Sequence, residues 1–131
     1  MMIKQLIALS ILLTTPLPSM SADVQLSKQY SVCMENPDST TVSMIDCMSA
    51  ETQLQDARLN KAYKELMASL TTDRKTSLRT AQRLWIKYRD ANCSFYYDPD
   101  GGSMARISAN DCVMTSTAER AKELESLLIE Y

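Results

Sequence analysis

The chain contains no histidine, and among 131 residues it has two glycines and four prolines. Without histidine, the common nucleophile–base pairs lack their base. A serine–lysine substitute finds no supporting setting, since Ser27 to Tyr30 reads S-K-Q-Y. There is no glycine-rich phosphate cradle. Acidic pairs such as Asp98 and Asp100 arise readily by chance among 16 acids, and these two sit in a segment expected to be solvated. Nothing therefore points to catalysis, and neither an enzyme nor a cofactor is expected. Metal binding is not expected either. Zinc sites use closely spaced ligand pairs, often with histidine, whereas the closest cysteines here, Cys33 and Cys47, are 14 apart.

What is present begins at the N-terminus. Lys4 precedes Leu6–Leu13 (LIALSILL), then Pro16 and Pro18, then Ser19-Met20-Ser21-Ala22. A basic start, an apolar run and small residues at a cut make a secretory signal. The run is too short to cross a bilayer, which takes about 20 residues. Residues 1–22 are read as a cleaved signal, with the cut after Ser21 or Ala22, and residues 23–131 as one domain. No cysteine lies near the cut, so no lipid or membrane anchor is expected. The expected location is periplasmic or secreted. Removing Lys4 leaves 13 basic residues against 16 acidic ones. That weak acidity argues against a nucleic-acid binder and mildly favours cationic partners.

Few breakers imply long helices, and no apolar alternation supports strands. The expected fold is all-α, a small antiparallel bundle of about four helices stapled by disulfides. The first helix is expected over about 24–35. A turn at Asn36–Ser39 follows, with Asp38 or Ser39 capping the second helix, about 41–70. There Leu59, Tyr63, Leu66 and Leu70 share a face. A break at Thr71–Asp73 leads to a third helix over about 74–95, with Leu78, Ala81, Trp85, Tyr88 and Asn92 on one stripe and Trp85 in the core. Asp98-Pro99-Asp100-Gly101-Gly102 is the strongest loop signal. The last region starts near Ser103. Ser116-x-x-Glu119 suggests a capping box, so a restart there is expected, with Ala121, Leu124 and Leu128 as the apolar face.

An exported chain with four cysteines, Cys33, Cys47, Cys93 and Cys112, implies two disulfides. In an antiparallel hairpin, facing residues are equidistant from the turn. Cys93 and Cys112 centre on the glycine loop, and Cys33 and Cys47 centre beside the Asn36–Ser39 turn. Cys47 and Cys93 centre on the break at 70, so all four thiols can meet at one end and three pairings stay open. Cys33–Cys47 and Cys93–Cys112 are favoured, because each closes a shorter loop across one turn.

Three segments carry unusual polar residues: Asp56–Tyr63, Gln82–Cys93 and Thr117–Leu124. Within them Asp56, Asn60, Gln82, Arg89 and Arg120 are read as a structural polar network that fixes helix register, since buried polar groups must be paired. These segments also carry a resemblance. D-x-x-L-N-x-x-Y, Q-R-x-W-I-x-Y-R-D-x-x-C, then G-G-S, a late cysteine and T-x-x-R-x-x-E-L resemble the LprI-type lysozyme-inhibitor family of small exported bacterial proteins. The resemblance spans about residues 33–125. It implies an all-helical disulfide-bonded domain outside the cytoplasm, with a protein partner, lysozyme. The chain departs from the family's lipoprotein branch in having no anchoring cysteine.

An inhibitor of a basic enzyme needs an acidic protrusion. The candidate is the glycine loop, with Tyr96, Tyr97, Asp98 and Asp100 as partner-binding residues. Its tyrosines offer contact area at modest entropy cost. The alternative reading is an envelope interaction or toxin-neutralising module with another protein partner.

Overall fold

A computed structural model describes residues 24–130; the expected signal segment lies outside them. Four helices follow in order: α1 (Lys28–Met34), α2 (Thr41–Ser69), α3 (Thr72–Tyr96) and α4 (Gly102–Glu130). The fold is all-α, with no strand among the described residues.

The helix ends have local causes. α1 starts at Lys28, later than the expected Val24, because Ser27 is held elsewhere. The Ser27 backbone N–H donates to Glu51 on α2 at 2.8 Å, and the Ser27 hydroxyl donates to the same carboxylate. Its Oγ still accepts from the Tyr30 N–H at 3.1 Å and so caps the helix. α2 is capped by Thr40, not by Asp38 or Ser39. Thr40 and Ser43 exchange side-chain-to-backbone bonds in a capping box. Asp38 instead donates its N–H to the Asn36 side chain, forming an Asx turn that ends before the helix begins. α3 starts at Thr72, two residues earlier than expected.

The expected restart near Ser116 does not occur, and α4 runs unbroken for 29 residues. Met114, Thr117, Ala118 and Ala121 are all buried there, so this stretch is the most enclosed among the described residues. Packing on both sides decides the conformation where a local capping signal competes with it.

α4 is the central helix. It packs extensively on α2 and also on α3, while α1 lies on the start of α2. Between α3 and α4, Cys93 meets Cys112, Arg89 meets Thr117 and Gln82 meets Arg120. One number rises as the other falls, so the two helices are antiparallel. Between α2 and α4, Leu59, Ala62 and Leu66 cluster with Ala121, Leu124, Leu127 and Leu128. α2 and α4 run parallel to each other, because Glu51 and Asp111 both lie near Tyr30 while further along Arg58 pairs with Glu125 and Leu66 shares a cleft with Leu127. Their first residues lie at the same end of the bundle.

The core follows from these pairings. Leu59, Ala62, Leu66, Ala121 and Leu124 form it, with Tyr63, Leu78 and Trp85 packed against its edge. The stripe expected on α3 is displaced. Its inward face carries Leu78, Gln82, Trp85, Arg89 and Cys93, whereas Ala81 and Tyr88 face outward. The displacement arises because polar Gln82 and Arg89 take inward positions, each with a partner on α4.

Candidate functional site

The two disulfides are Cys33–Cys47 and Cys93–Cys112, with Cα atoms 5.9 and 5.4 Å apart. The first joins α1 to the start of α2. The second joins the end of α3 to the start of α4. Since α2 and α4 are parallel, both crosslinks lie at one end, beneath two turns. Those turns carry Glu35 and Asp38 in one and Asp98 and Asp100 in the other, and neither contains a basic residue.

The α3–α4 turn is the more structured. The Gly101 N–H donates to the Asp98 carbonyl at 3.0 Å, and the Asp100 N–H donates to the Asp98 side chain at 2.9 Å. Pro99 occupies the second position of this turn, where its fixed φ is favourable. Gly102 has φ +62°, the left-handed region. A Cβ on Gly101 would lie 2.7 Å from the Ala105 Cβ. Both glycines are therefore needed by the backbone, one for its dihedral and one for close approach.

The loop presents side chains outward. Tyr96 and Tyr97 are about half exposed, at 47% and 55%, and Phe95 is 83% exposed. Phe95 and Tyr96 meet edge to face with centroids 6.0 Å apart. Tyr97 lines a shallow cleft of about 350 Å³ with Asp90, Ser94 and Asn110. Tyr96 lines a second, of about 390 Å³, with Asn92, Ser108 and Asp111. The tyrosines thus stand on opposite flanks of one hairpin tip. Asp98 and Asp100, next in the turn, are exposed.

The five polar residues read as a network fall into two groups. Gln82, Arg89 and Arg120 meet at the α3–α4 interface. Arg120 donates from Nε to Gln82 at 3.0 Å and from a terminal nitrogen to Glu123 at 2.6 Å. Arg89 donates to Thr117 at 3.4 Å and to Asp90 at 2.8 Å. The two guanidinium carbons lie 5.0 and 5.9 Å from the Trp85 ring centroid, within cation–π range. Asp56 and Asn60 stand apart, exposed on α2, where the Asn60 side chain donates to the Asp56 carbonyl and carboxylate, each at 2.9 Å.

Sequence reasoning missed a second network. Glu51 is 1% exposed, yet charged in character. It accepts from Ser27 and, at 2.6 Å, from Gln55. Arg58 then donates to Gln55 at 2.8 Å and grips Glu125 on α4 through two bonds of 2.6 and 2.5 Å. Burial works to raise the Glu51 pKa, but the bonds from Ser27 and Gln55, with the Arg58 charge nearby, outweigh it and hold the pKa below its ordinary value. Among the described residues, no buried side-chain polar atom lacks a partner. The signal was available: Glu51, Gln55, Leu59, Ala62 and Leu66 continue one helical face toward the N-terminus.

A family model described as "Lysozyme inhibitor LprI" matches residues 33–124, from the first cysteine to the last core leucine. The chain belongs to this family. The LprI match takes in both disulfides, the α3–α4 loop, the Gln82–Arg89–Arg120 group, and Glu51, Gln55 and Arg58 of the second network, whose Ser27 and Glu125 lie outside it. An uncharacterized protein of Rhizobium meliloti (strain 1021) is 32% identical over 104 residues, covering 66% of this chain and 75% of its own length. No solved structure matches. Membership and the disulfides together indicate a protein of an extracytoplasmic compartment. No helix among the described residues is long and apolar enough to cross a membrane.

Proposed function

We propose that the domain inhibits lysozyme by inserting the α3–α4 hairpin tip into the enzyme's substrate cleft. The observation that carries this reading is the tip itself. An exposed Tyr96-Tyr97-Asp98-Pro99-Asp100 run projects from a base closed by Cys93–Cys112. The acidic turns at this end complement a basic enzyme and speed encounter with it. The tyrosines then supply contact area that is largely ordered before binding. Family membership supports lysozyme as the target, and the fixed turn supports a wedge in place of a flexible tail. Residues 1–22 act in this reading as the export signal that delivers the domain, residues 23–131, to the periplasm or beyond.

Lysis of cell-wall substrate by a basic lysozyme tests the proposal. The wild-type domain is expected to slow lysis at micromolar concentration. Tyr97→Ala/Asp98→Ala is expected to weaken inhibition by at least about tenfold, the usual cost of truncating a central contact. An inactive wild type, or a double variant as potent as wild type, overturns the reading.

A further inference from the structure

α3 carries a second surface that the hairpin tip does not use. Packed only on α4 among the helices with substantial contact, it leaves a broad face to solvent. That face is divided lengthwise. Leu84, Tyr88, Ala91 and Phe95, at spacings of four, three and four, form one exposed stripe; Leu84 is 60% and Tyr88 65% exposed. Arg79, Arg83 and Lys87, each four residues from the next, form an adjacent exposed stripe. None of the three is ion-paired among the described residues.

The charge is concentrated. α3 holds Arg74, Lys75, Arg79, Arg83, Lys87 and Arg89 against Asp73 and Asp90, a net of +4, in a chain whose total is −2. The remainder of the chain therefore sums to −6. Like charges four residues apart destabilise a helix. Leu84 and Phe95, 60% and 83% exposed, bury little apolar area in the fold. Helix stability explains neither stripe.

We propose that the outer face of α3 docks on an anionic phospholipid surface. Cations beside apolar side chains on one helix match a surface that layers anionic headgroups over hydrocarbon. The apolar stripe spans about 16 Å at 1.5 Å per residue, enough to lay several side chains below the headgroups. The arrangement is peripheral, and requires no membrane-crossing helix. A second copy of the chain fits less well, because pairing the stripes brings two helices of net +4 together. A polyanion without an apolar layer leaves Leu84 and Phe95 unused. Apart from Phe95, which touches Tyr96, both stripes lie away from the hairpin loop, so this docking and lysozyme inhibition fail independently.

Co-sedimentation of the domain with vesicles tests the inference. Retention is expected on phosphatidylglycerol–phosphatidylcholine vesicles, falling with salt, and not on phosphatidylcholine alone. Arg79→Glu/Arg83→Glu/Lys87→Glu is expected to weaken retention at least about 100-fold, and Leu84→Ser/Tyr88→Ser at least about tenfold. Lys61→Glu/Lys64→Glu on α2 serves as the control for general charge. Circular dichroism establishes that each variant is folded, and lysozyme inhibition by each is expected to stay at the wild-type level. Overturning results are a wild type that stays in the supernatant, a control that loses as much as the α3 reversal, or capture by insoluble peptidoglycan but not by vesicles. Self-association that the serine variant abolishes, without vesicle binding, also overturns it.

Discussion

α2 and α3 follow one another with two residues between them, and both are long. α2 buries seven residues: Cys47, Met48, Glu51, Gln55, Leu59, Ala62 and Leu66. α3 buries only Gln82 and Cys93. The difference lies in where each helix meets α4. α2 runs parallel to it along most of its length and fills the shared seam with leucine and alanine. α3 leans on it through a polar seam of Gln82, Arg89, Trp85 and Arg120, and keeps its apolar and basic stripes outside. Two consecutive helices thus divide the work: one holds the fold, the other presents surface.

That division can be broken by substitution. The largest effect is expected in the α2–α4 seam. Leu66→Ala or Leu124→Ala should cost about 2–5 kcal/mol in urea unfolding, since both sites are essentially closed to solvent. Next come the crosslinks. Cys93→Ser/Cys112→Ser, and separately Cys33→Ser/Cys47→Ser, should each cost about 2–4 kcal/mol. Only the first should also weaken lysozyme inhibition, because only it closes the base of the hairpin tip.

A smaller loss, about 1–3 kcal/mol, is expected for Glu51→Ala, which strands the Ser27 and Gln55 donors. Glu51 also sets a pH dependence. Its folded pKa lies below the ordinary 4.5, so its contribution is complete above that value and is lost as pH falls through the folded pKa. Melting temperatures of wild type and Glu51→Gln followed downward from neutral pH should therefore converge in acid. The smallest effect is expected on α3: Leu84→Ala should shift stability by no more than about 0.5 kcal/mol. A loss comparable to Leu66→Ala would mean that the outer stripe is covered by the fold and that the contrast between the helices is false.

Much of this was legible in the sequence. Scarce breakers, the clear turns at Asn36–Ser39 and Asp98–Gly102 and the break at Thr71–Asp73 locate all four helices, and Leu59, Leu66, Ala121 and Leu124 fall where periodicity places them. Two kinds of information were not legible. Competition between local and tertiary preferences is one: Ser116 and Glu119 look like a helix start, and only the enclosure of Thr117 and Ala118 shows why the helix continues. The other is polar residues in core positions. On α3, apolar periodicity points to Tyr88, but Gln82 and Arg89 turn inward because Arg120 and Thr117 on α4 receive them. On α2, the periodicity of Leu59, Ala62 and Leu66 runs back through Glu51 and Gln55, but the partners that satisfy them, Ser27 and Arg58, appear only in the structure. The hairpin tip was legible as a loop, while the placement of its two tyrosines on opposite flanks depends on how α3 ends.

Both disulfides join cysteines that are consecutive along the chain. A polypeptide that appears N-terminus first, as in export, exposes Cys33 and Cys47 before Cys93 and Cys112. An oxidant that joins thiols in the order they emerge therefore makes the native bonds directly. No bond has to wait for a later cysteine, and none has to be undone by an isomerase. The arrangement of crosslinks makes the order of synthesis itself a guide to correct assembly.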